Sequence, residues 1–474
     1  MRRILVLLAA CGAFAACGRA PQTARTPARA AAPAVTAPPV SAAWLDSVAG
    51  RYAADQHLVA LSVAVAQDGK VVFAKAYGLS SLADRTPATA QTSFAIGSVT
   101  KEFTCTAALM LADSGKLSMR DPVAKWYPDL TRAADITLLD LGNHVSGYRD
   151  YYPLDFVDRE MGRPTTPDAV IKEYASRPLD FEPGTRWSYS NTNFDILGRV
   201  VEQVSGESFG AFLTRRVFGP VGMLHTRYDP APGTGMATGY TSFALGPSEP
   251  VAPEAAGWDG MAGAIWSTPS DLAAWDIALA SGKLLSPESY GVLTSARRLT
   301  DGRSTGYGCG LSVNDRGRAI VLSHNGAVSG FSALNAFLPA TRSAVVLLTN
   351  ADFGSLGPLA DVILRKLIPQ TAVPVIEGPP ALEAATAFLA TFRKGQVDRA
   401  TLGDDFSAYL TADRLAAARR SLAGRLTDIA VGGTSERGGM EVASVSFKVG
   451  GRSAAALMYR TPDGKIQEFL VYRP

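Results

Sequence analysis

Histidine and cysteine are scarce, with four of each spread over 474 residues. His57, His144, His225 and His324 lie far apart, and none has a Cys or His partner at metal-ligand spacing. A zinc site needs such pairs, so no metal is expected, and nothing points to another cofactor. Charge of one sign is lacking as well. A formal net charge of +3 leaves no clustered basic footprint to neutralise phosphates, which excludes nucleic acid as the expected partner. The one apolar run at the start of the chain is too short to span a membrane. What is present, 47% hydrophobic against 19% charged residues, is enough to fill a large core. The length exceeds what one core usually serves, so two domains plus some unstructured sequence are expected.

Arg2 and Arg3 precede the apolar run Ile4 to Ala16, which is too short to span a bilayer and reads with residue 17 as an export signal. "FAAC", Phe14 to Cys17, resembles a bacterial lipobox whose cysteine takes a lipid. "LAAC", ending at Cys11, resembles it too, but a cut there leaves a very short apolar core. Simple cleavage without a lipid is the alternative. The expectation is an exported protein, periplasmic or secreted, that touches membrane only through a lipid on Cys17. Residues 18–40, rich in Ala, Pro and Thr, read as an extended tether. Cys105 and Cys309 then remain, as a pair or as two buried thiols.

Helical spacing through Trp44, Val48 and Tyr52 predicts a helix over residues 41–56. "LVALSVAVA" and "KVVFAKAYG" on either side of Gln67-Asp68-Gly69 predict a hairpin. From about Ser98 to Ala280 the chain reads as helices and loops, including residues 193–204 and 210–217. Strand-like runs return in "GCGLSVND", "RAIVLSH", "FSALNAFLP" and "SAVVLLTN", followed by a helix over residues 356–368. Residues 41–368 are therefore an α/β domain of the α+β kind, with one antiparallel sheet from both ends of the segment, flanked by helices, and a helical subdomain. The proline-rich residues 369–380 are a linker. Residues 381–474 predict a small α+β module, similar to the cone-shaped folds related to nuclear transport factor 2. It carries no chemical motif, and packing or an unidentified partner is its default role.

Three short motifs carry chemistry. Of eleven lysines, only Lys101 has a serine three residues before it, in "FAIGSVTKEFTC". Positions i and i+3 share a helix face, so the Ser98 hydroxyl and the Lys101 amine fall within reach. Burial lowers a lysine pKa until the neutral amine accepts a proton and activates the hydroxyl. Phe103, Ala107, Met110 and Leu111 form an inward stripe behind the pair, and Gly115 stops the helix. Tyr189-Ser190-Asn191 is the only Tyr-x-Asn, and His324-Asn325-Gly326 the only His-x-Gly. Gly-x-Ser-x-Gly occurs around Ser208 and Ser304, but neither has the strand-then-helix context of a nucleophile elbow, and both read as turns.

In order and spacing, the three motifs and the stretches "HVSG", "GKLSMRDPV" and "AGAIWSTPSDLAAW" resemble the penicillin-recognising serine hydrolases, specifically the branch with class C β-lactamases, D-Ala-D-Ala carboxypeptidases and β-lactamase-like esterases. The resemblance covers residues 41 to 368 and implies the β-lactamase/transpeptidase fold. It also implies that Ser98 forms an acyl-enzyme, that Lys101 and Tyr189 share the base role, and that Asn191 bonds the substrate amide or the lysine. The ammonium would have to lower the Tyr189 pKa for the phenol to serve. Backbone N–H groups of Ser98 and Ala327 would hold the oxyanion, with His324 and Gly326 beside the substrate.

His324 stands where class C β-lactamases usually have a lysine, and an imidazole changes charge near neutral pH. That disfavours efficient β-lactam hydrolysis and favours a carboxypeptidase or esterase acting on a peptide, amide or ester. A different class of reading is an inactive lipoprotein that keeps the fold to bind peptidoglycan-like peptides.

Overall fold

The computed structural model describes residues 37–152, 159–244, 246–317, 319–368 and 374–472. The expected signal, Cys17, the tether up to residue 36 and the linker residues 369–373 lie outside the described residues. The last tether residues are not free chain. Gln67 Nε2 donates to the carbonyls of Ala37 and Pro38 at 3.2 and 3.1 Å, and Val40 N donates back to Gln67 Oε1.

Ser41 caps helix α1 (Ala42–Asp55). That helix has no acidic first turn and no basic last turn, so its dipole adds nothing, and a cap contributes about 1 kcal/mol. Full burial of Leu45 alone contributes about 2 kcal/mol, so packing decides where the helix sits. Strands β1 (Ala60–Gln67) and β2 (Lys70–Ser81) form the expected hairpin. Asp68 and Gly69, at φ of 52° and 77°, both adopt the left-handed conformation that a two-residue hairpin turn needs. The short β3 (Thr86–Pro87) pairs with β2.

Helix α2 (Thr100–Asp113) crosses the domain, followed later by α3 (Asn191–Ser205) and α4 (Pro269–Ala280). The C-terminal half then returns as β4 (Ser312–Asp315), β5 (Ile320–Val328), β6 (Phe331–Leu338), β7 (Ser343–Thr349) and helix α5 (Gly357–Leu367). All seven strands pair antiparallel in the order β3-β2-β1-β7-β6-β5-β4. N- and C-terminal segments therefore meet at β1 and β7 in the sheet centre, as the strand pattern predicted.

β1 and β7 are buried at every position because both sheet faces are covered. Leu61, Val63 and Val65 pack against α1 and α5, whereas Ala64 and Ala66 join the core that contains α2, α3 and α4. Helix α2 differs from its expectation. It is buried on all sides through residue 109, not along a stripe, and Met110 is only half-buried.

Helices α6 (Ala381–Phe392), α7 (Asp404–Tyr409) and α8 (Ala412–Ser421) share a separate apolar core with a sheet of β8 (Leu426–Arg437), β9 (Met440–Val449), β10 (Arg452–Arg460) and β11 (Ile466–Tyr472). β8 was not foreseen. It is a mostly exposed edge strand with a register shift before Gly433, and its polar, glycine-rich sequence carries no buried face to read.

Cys105 on α2 is bonded to Cys309 in the segment before β4, across 204 residues of chain. Of the two expectations for these cysteines, the pair is the one realised. Closing so long a loop restricts the unfolded chain strongly, and removing such a bond typically costs about 2–5 kcal/mol. Cys105→Ala with Cys309→Ala is expected to lower unfolding free energy by an amount in that range, measured by urea denaturation beside the oxidised protein.

Candidate active site

Ser98 lies in the tight 3₁₀ turn Gly97–Val99 that runs directly into α2, and Lys101 is the second residue of that helix. Lys101 is fully buried. Its Nζ lies 3.0 Å from Ser98 Oγ, 2.7 Å from Asn191 Oδ1 and 2.9 Å from the Ala262 carbonyl. Burial pushes its pKa down to about 7, against the opposing pull of Asp150, Asp195 and Asp259. A neutral amine has two N–H bonds and one lone pair. Asn191 Oδ1 and the Ala262 carbonyl can only accept, so they take both hydrogens and leave the lone pair facing the Ser98 hydroxyl.

Tyr189 stands over the same amine, with Lys101 Nζ 4.8 Å from its ring centre, and its hydroxyl is hydrogen-bonded to Ser98. The expected lowering of its pKa is not found. Burial raises it above the ordinary value of 10, and the Ser98 hydrogen bond offsets only part of that. Tyr189 therefore remains a protonated phenol at neutral pH, able to pass a proton on but not resting as a phenolate. Asn191 opens α3 and holds the lysine, the second of its two expected partners, while its Nδ2 donates to Asp150 Oδ1 at 3.1 Å.

The third motif lies on β5. A Cβ on Gly326 would stand 1.9 Å from the Ile96 carbonyl, and one on Gly97 would stand 2.8 Å from Ala327 N. Only two residues without side chains let β5 approach the serine turn this closely. Gly97 also has φ of 50°, a conformation that further favours glycine. Gly326 and Ala327 line the cavity together with Ser98, and the Ala327 amide lies against the Gly97 turn that carries Ser98.

His324 does not behave as expected. Its ring is buried and is not part of the cavity wall. Nδ1 lies 2.6 Å from the Asn325 carbonyl, which can only accept, so the proton sits on Nδ1. Nε2 then accepts from Tyr307 Oη at 2.8 Å. Burial, reinforced by the Lys101 charge, pushes its pKa down to about 3. The imidazole is thus neutral throughout the physiological range, and the expected charge change near neutral pH does not occur. His144 of the "HVSG" stretch, which carried no assigned role, accepts Ser190 N at 3.1 Å and lies 4.3 Å, centre to centre, from the Tyr189 ring. It positions the Tyr189 segment from behind.

The cavity measures about 390 Å³, within the range of small-ligand sites. Besides the motif residues it is lined by Asp150, Tyr152 and Asp259. Sequence reasoning missed both acids. Neither belongs to a spaced motif, and Asp150 becomes a neighbour of Asn191, 41 positions further along the chain, only in the folded protein. Ser208 caps a short helix by accepting Ala211 N, and Ser304 accepts Gly306 N within a turn, as expected for turn residues. Neither lines the cavity.

A central antiparallel sheet with a serine, a lysine and a tyrosine gathered at one strand defines a protein of the β-lactamase and penicillin-binding class. The family model described as Beta-lactamase matches residues 45–367, well over half of the chain, so the chain belongs to that family. A D-aminopeptidase of Brucella anthropi is 30% identical over 323 residues, which are 67% of this chain and 60% of that protein. The D-amino acid amidase of Ochrobactrum anthropi, solved with D-phenylalanine, superposes with a TM-score of 0.59 at 23% identity over 68% of this chain and 97% of that one. An octameric penicillin-binding protein homologue from Pyrococcus abyssi does so with a TM-score of 0.61 at 21% identity, covering 91% of this chain and all of that one.

With an uncharged ester as substrate, kcat/KM is expected to rise about tenfold per pH unit below 7 and to level above it, as Lys101 loses its proton. A profile flat from pH 5 to 8 contradicts that assignment. Gly326→Ala is expected to push β5 off the serine turn and misplace the Ala327 amide. Loss of one oxyanion donor costs about 3 kcal/mol of barrier, so kcat should fall roughly a hundredfold while circular dichroism shows the fold retained.

Proposed function

We propose that the chain is an exported serine hydrolase that forms an acyl-enzyme at Ser98 from the amide or peptide of a D-amino acid whose amino group is free. The carrying observation is the Lys101 amine, held by two obligate acceptors with its lone pair on Ser98 Oγ. Lys101 takes the Ser98 proton as Oγ attacks the carbonyl carbon. The amides of Ser98 and Ala327 receive the developing oxyanion. The C–N bond then breaks, and the proton reaches the departing amine from Lys101 directly or through the Tyr189 hydroxyl. Water, giving its proton along the same route, cleaves the acyl ester and restores Ser98.

Cavity charge supports the choice of substrate. Asp150 and Asp259 line it, while Lys101 approaches it only from beneath Ser98, and no arginine is among its lining residues. Burial raises the pKa of both acids, and a substrate ammonium beside them favours their ionised forms. A substrate carboxylate finds no cation here, which disfavours a D-Ala-D-Ala carboxypeptidase and an efficient β-lactamase. The related D-aminopeptidase and the amidase fold neighbour agree with a D-amino acid amide. The Cys105–Cys309 bond supports an oxidising compartment, with anchoring through Cys17 as part of the same proposal.

Ser98→Ala is expected to reduce hydrolysis of D-phenylalanine amide by about a thousandfold or more and to abolish the covalent adduct seen by intact mass with an activated ester. Full activity in Ser98→Ala overturns the proposal. Asp259→Asn is expected to raise KM for D-phenylalanine amide about tenfold, the effect of losing one charge-assisted bond, and to leave KM for nitrophenyl acetate unchanged.

A further inference from the structure

A second cavity, larger than the one at Ser98, lies elsewhere in the protein. It lies within the C-terminal module, where helices α7 and α8 stand off the β10 and β11 edge of the sheet, and measures about 980 Å³. Its floor is apolar, with Phe392, Phe406, Leu422, Val449 and Phe469 all buried. Three exposed large apolar side chains, Tyr409, Leu470 and Tyr472, surround its opening. An apolar lining open to solvent is a standing cost unless something covers it, and concave apolar sites with a few polar groups are ligand sites.

The charges at this cavity all have one sign. Arg414, Arg420 and Arg452 are exposed lining residues, and no aspartate or glutamate is among them. Arg414 is fixed by donating to the Tyr409 carbonyl and lying over the Tyr409 ring at 3.7 Å. Arg420 and Arg452 make none of the ion pairs found among the described residues. By contrast Arg460, on the same β10, is buried and paired with Glu441. Guanidinium groups left available at the rim of an apolar chamber match an anionic head on an apolar body.

We propose that the C-terminal module binds a single-chain amphiphilic anion, a long-chain carboxylate, with its alkyl chain in this cavity and its head group among Arg414, Arg420 and Arg452. The occupant is a small molecule because a concave volume of about 980 Å³ lined by Phe392, Phe406 and Phe469 matches one alkyl chain and its head, and the rim charges are all of one sign. The site is independent of Ser98 and needs no hydrolysis.

The test uses the full chain and isothermal titration with dodecanoate below its micellar concentration. Dodecyl maltoside is the neutral-headed control and acetate the control that keeps the carboxylate but lacks the long chain. Saturable one-to-one binding of dodecanoate is expected, at least about tenfold tighter than either control. Arg420→Glu with Arg452→Glu, both exposed and remote from the hydrolase motifs, is expected to weaken dodecanoate at least about tenfold and leave ester hydrolysis unchanged. Ala418→Trp, which fills the chamber, is expected to abolish binding, with near-ultraviolet circular dichroism checking that the module is folded.

Absence of saturable binding, equal binding of dodecanoate and the maltoside, or unaltered affinity in the arginine variant overturns the proposal. So does loss of dodecanoate binding when Ser98 is acylated, since that places the ligand in the catalytic cavity. A concentration-dependent dimer in sedimentation that the arginine variant disperses, without dodecanoate binding, assigns the surface to a second copy of the chain and likewise overturns it.

Discussion

Lys101 carries an amine to a point where water cannot solvate its charge, and much of the domain is arranged around that fact. The next residue, Glu102, leaves the helix on another side, toward the sheet, where it accepts Trp275 Nε1 at 2.9 Å and Asn335 Nδ2 at 3.1 Å, with its pKa pushed up to about 8. Burial thus moves both neighbours toward their neutral forms. An α2 with two full charges in this core would carry a desolvation penalty of several kcal/mol per ion. Moving toward the neutral forms lowers that penalty, and on the Lys101 side it leaves an amine lone pair beside Ser98 Oγ.

Backbone contact supplies the second constraint. The serine turn and β5 meet through Gly97 and Gly326, so the Ala327 amide and Ser98 come from segments more than two hundred residues apart. The Cys105–Cys309 bond ties α2 to the segment just after Tyr307, which in turn holds His324. Nucleophile helix, disulfide, Tyr307 and β5 therefore form a closed loop of contacts behind the cavity. Its function is positional, because apart from the motif residues and the adjoining Ala327 and Val328 no group in that loop lines the cavity.

Much of this was legible beforehand where one local pattern decided the outcome. The hairpin at Asp68-Gly69 followed from a turn that only such residues make, and α3 followed from its spacing. Ser98 and Lys101 were readable because a separation of three residues puts two side chains on one helix face whatever surrounds them. β8 was missed because an exposed edge strand has no buried face to impose alternation. The all-round burial of α2 was missed because its threonines and its Lys-Glu pair look solvated until the sheet and α3 cover them.

The resting state of the groups followed the same division. Sequence determined which side chains exist and which lie one turn apart: the Ser98–Lys101 pair, the Tyr-x-Asn, the two glycines and the cysteines. It also determined that one antiparallel sheet joins the two ends of the segment, since hydrophobic runs at both ends needed each other for burial, while the strand order was left to the tertiary structure. Tertiary structure alone decided that Tyr189 stays protonated, that His324 is neutral and buried outside the cavity lining, and that Asp150 and Asp259 line the cavity. Those outcomes depend on how much water each group loses and which charges lie beside it, quantities fixed only when distant segments close over one another.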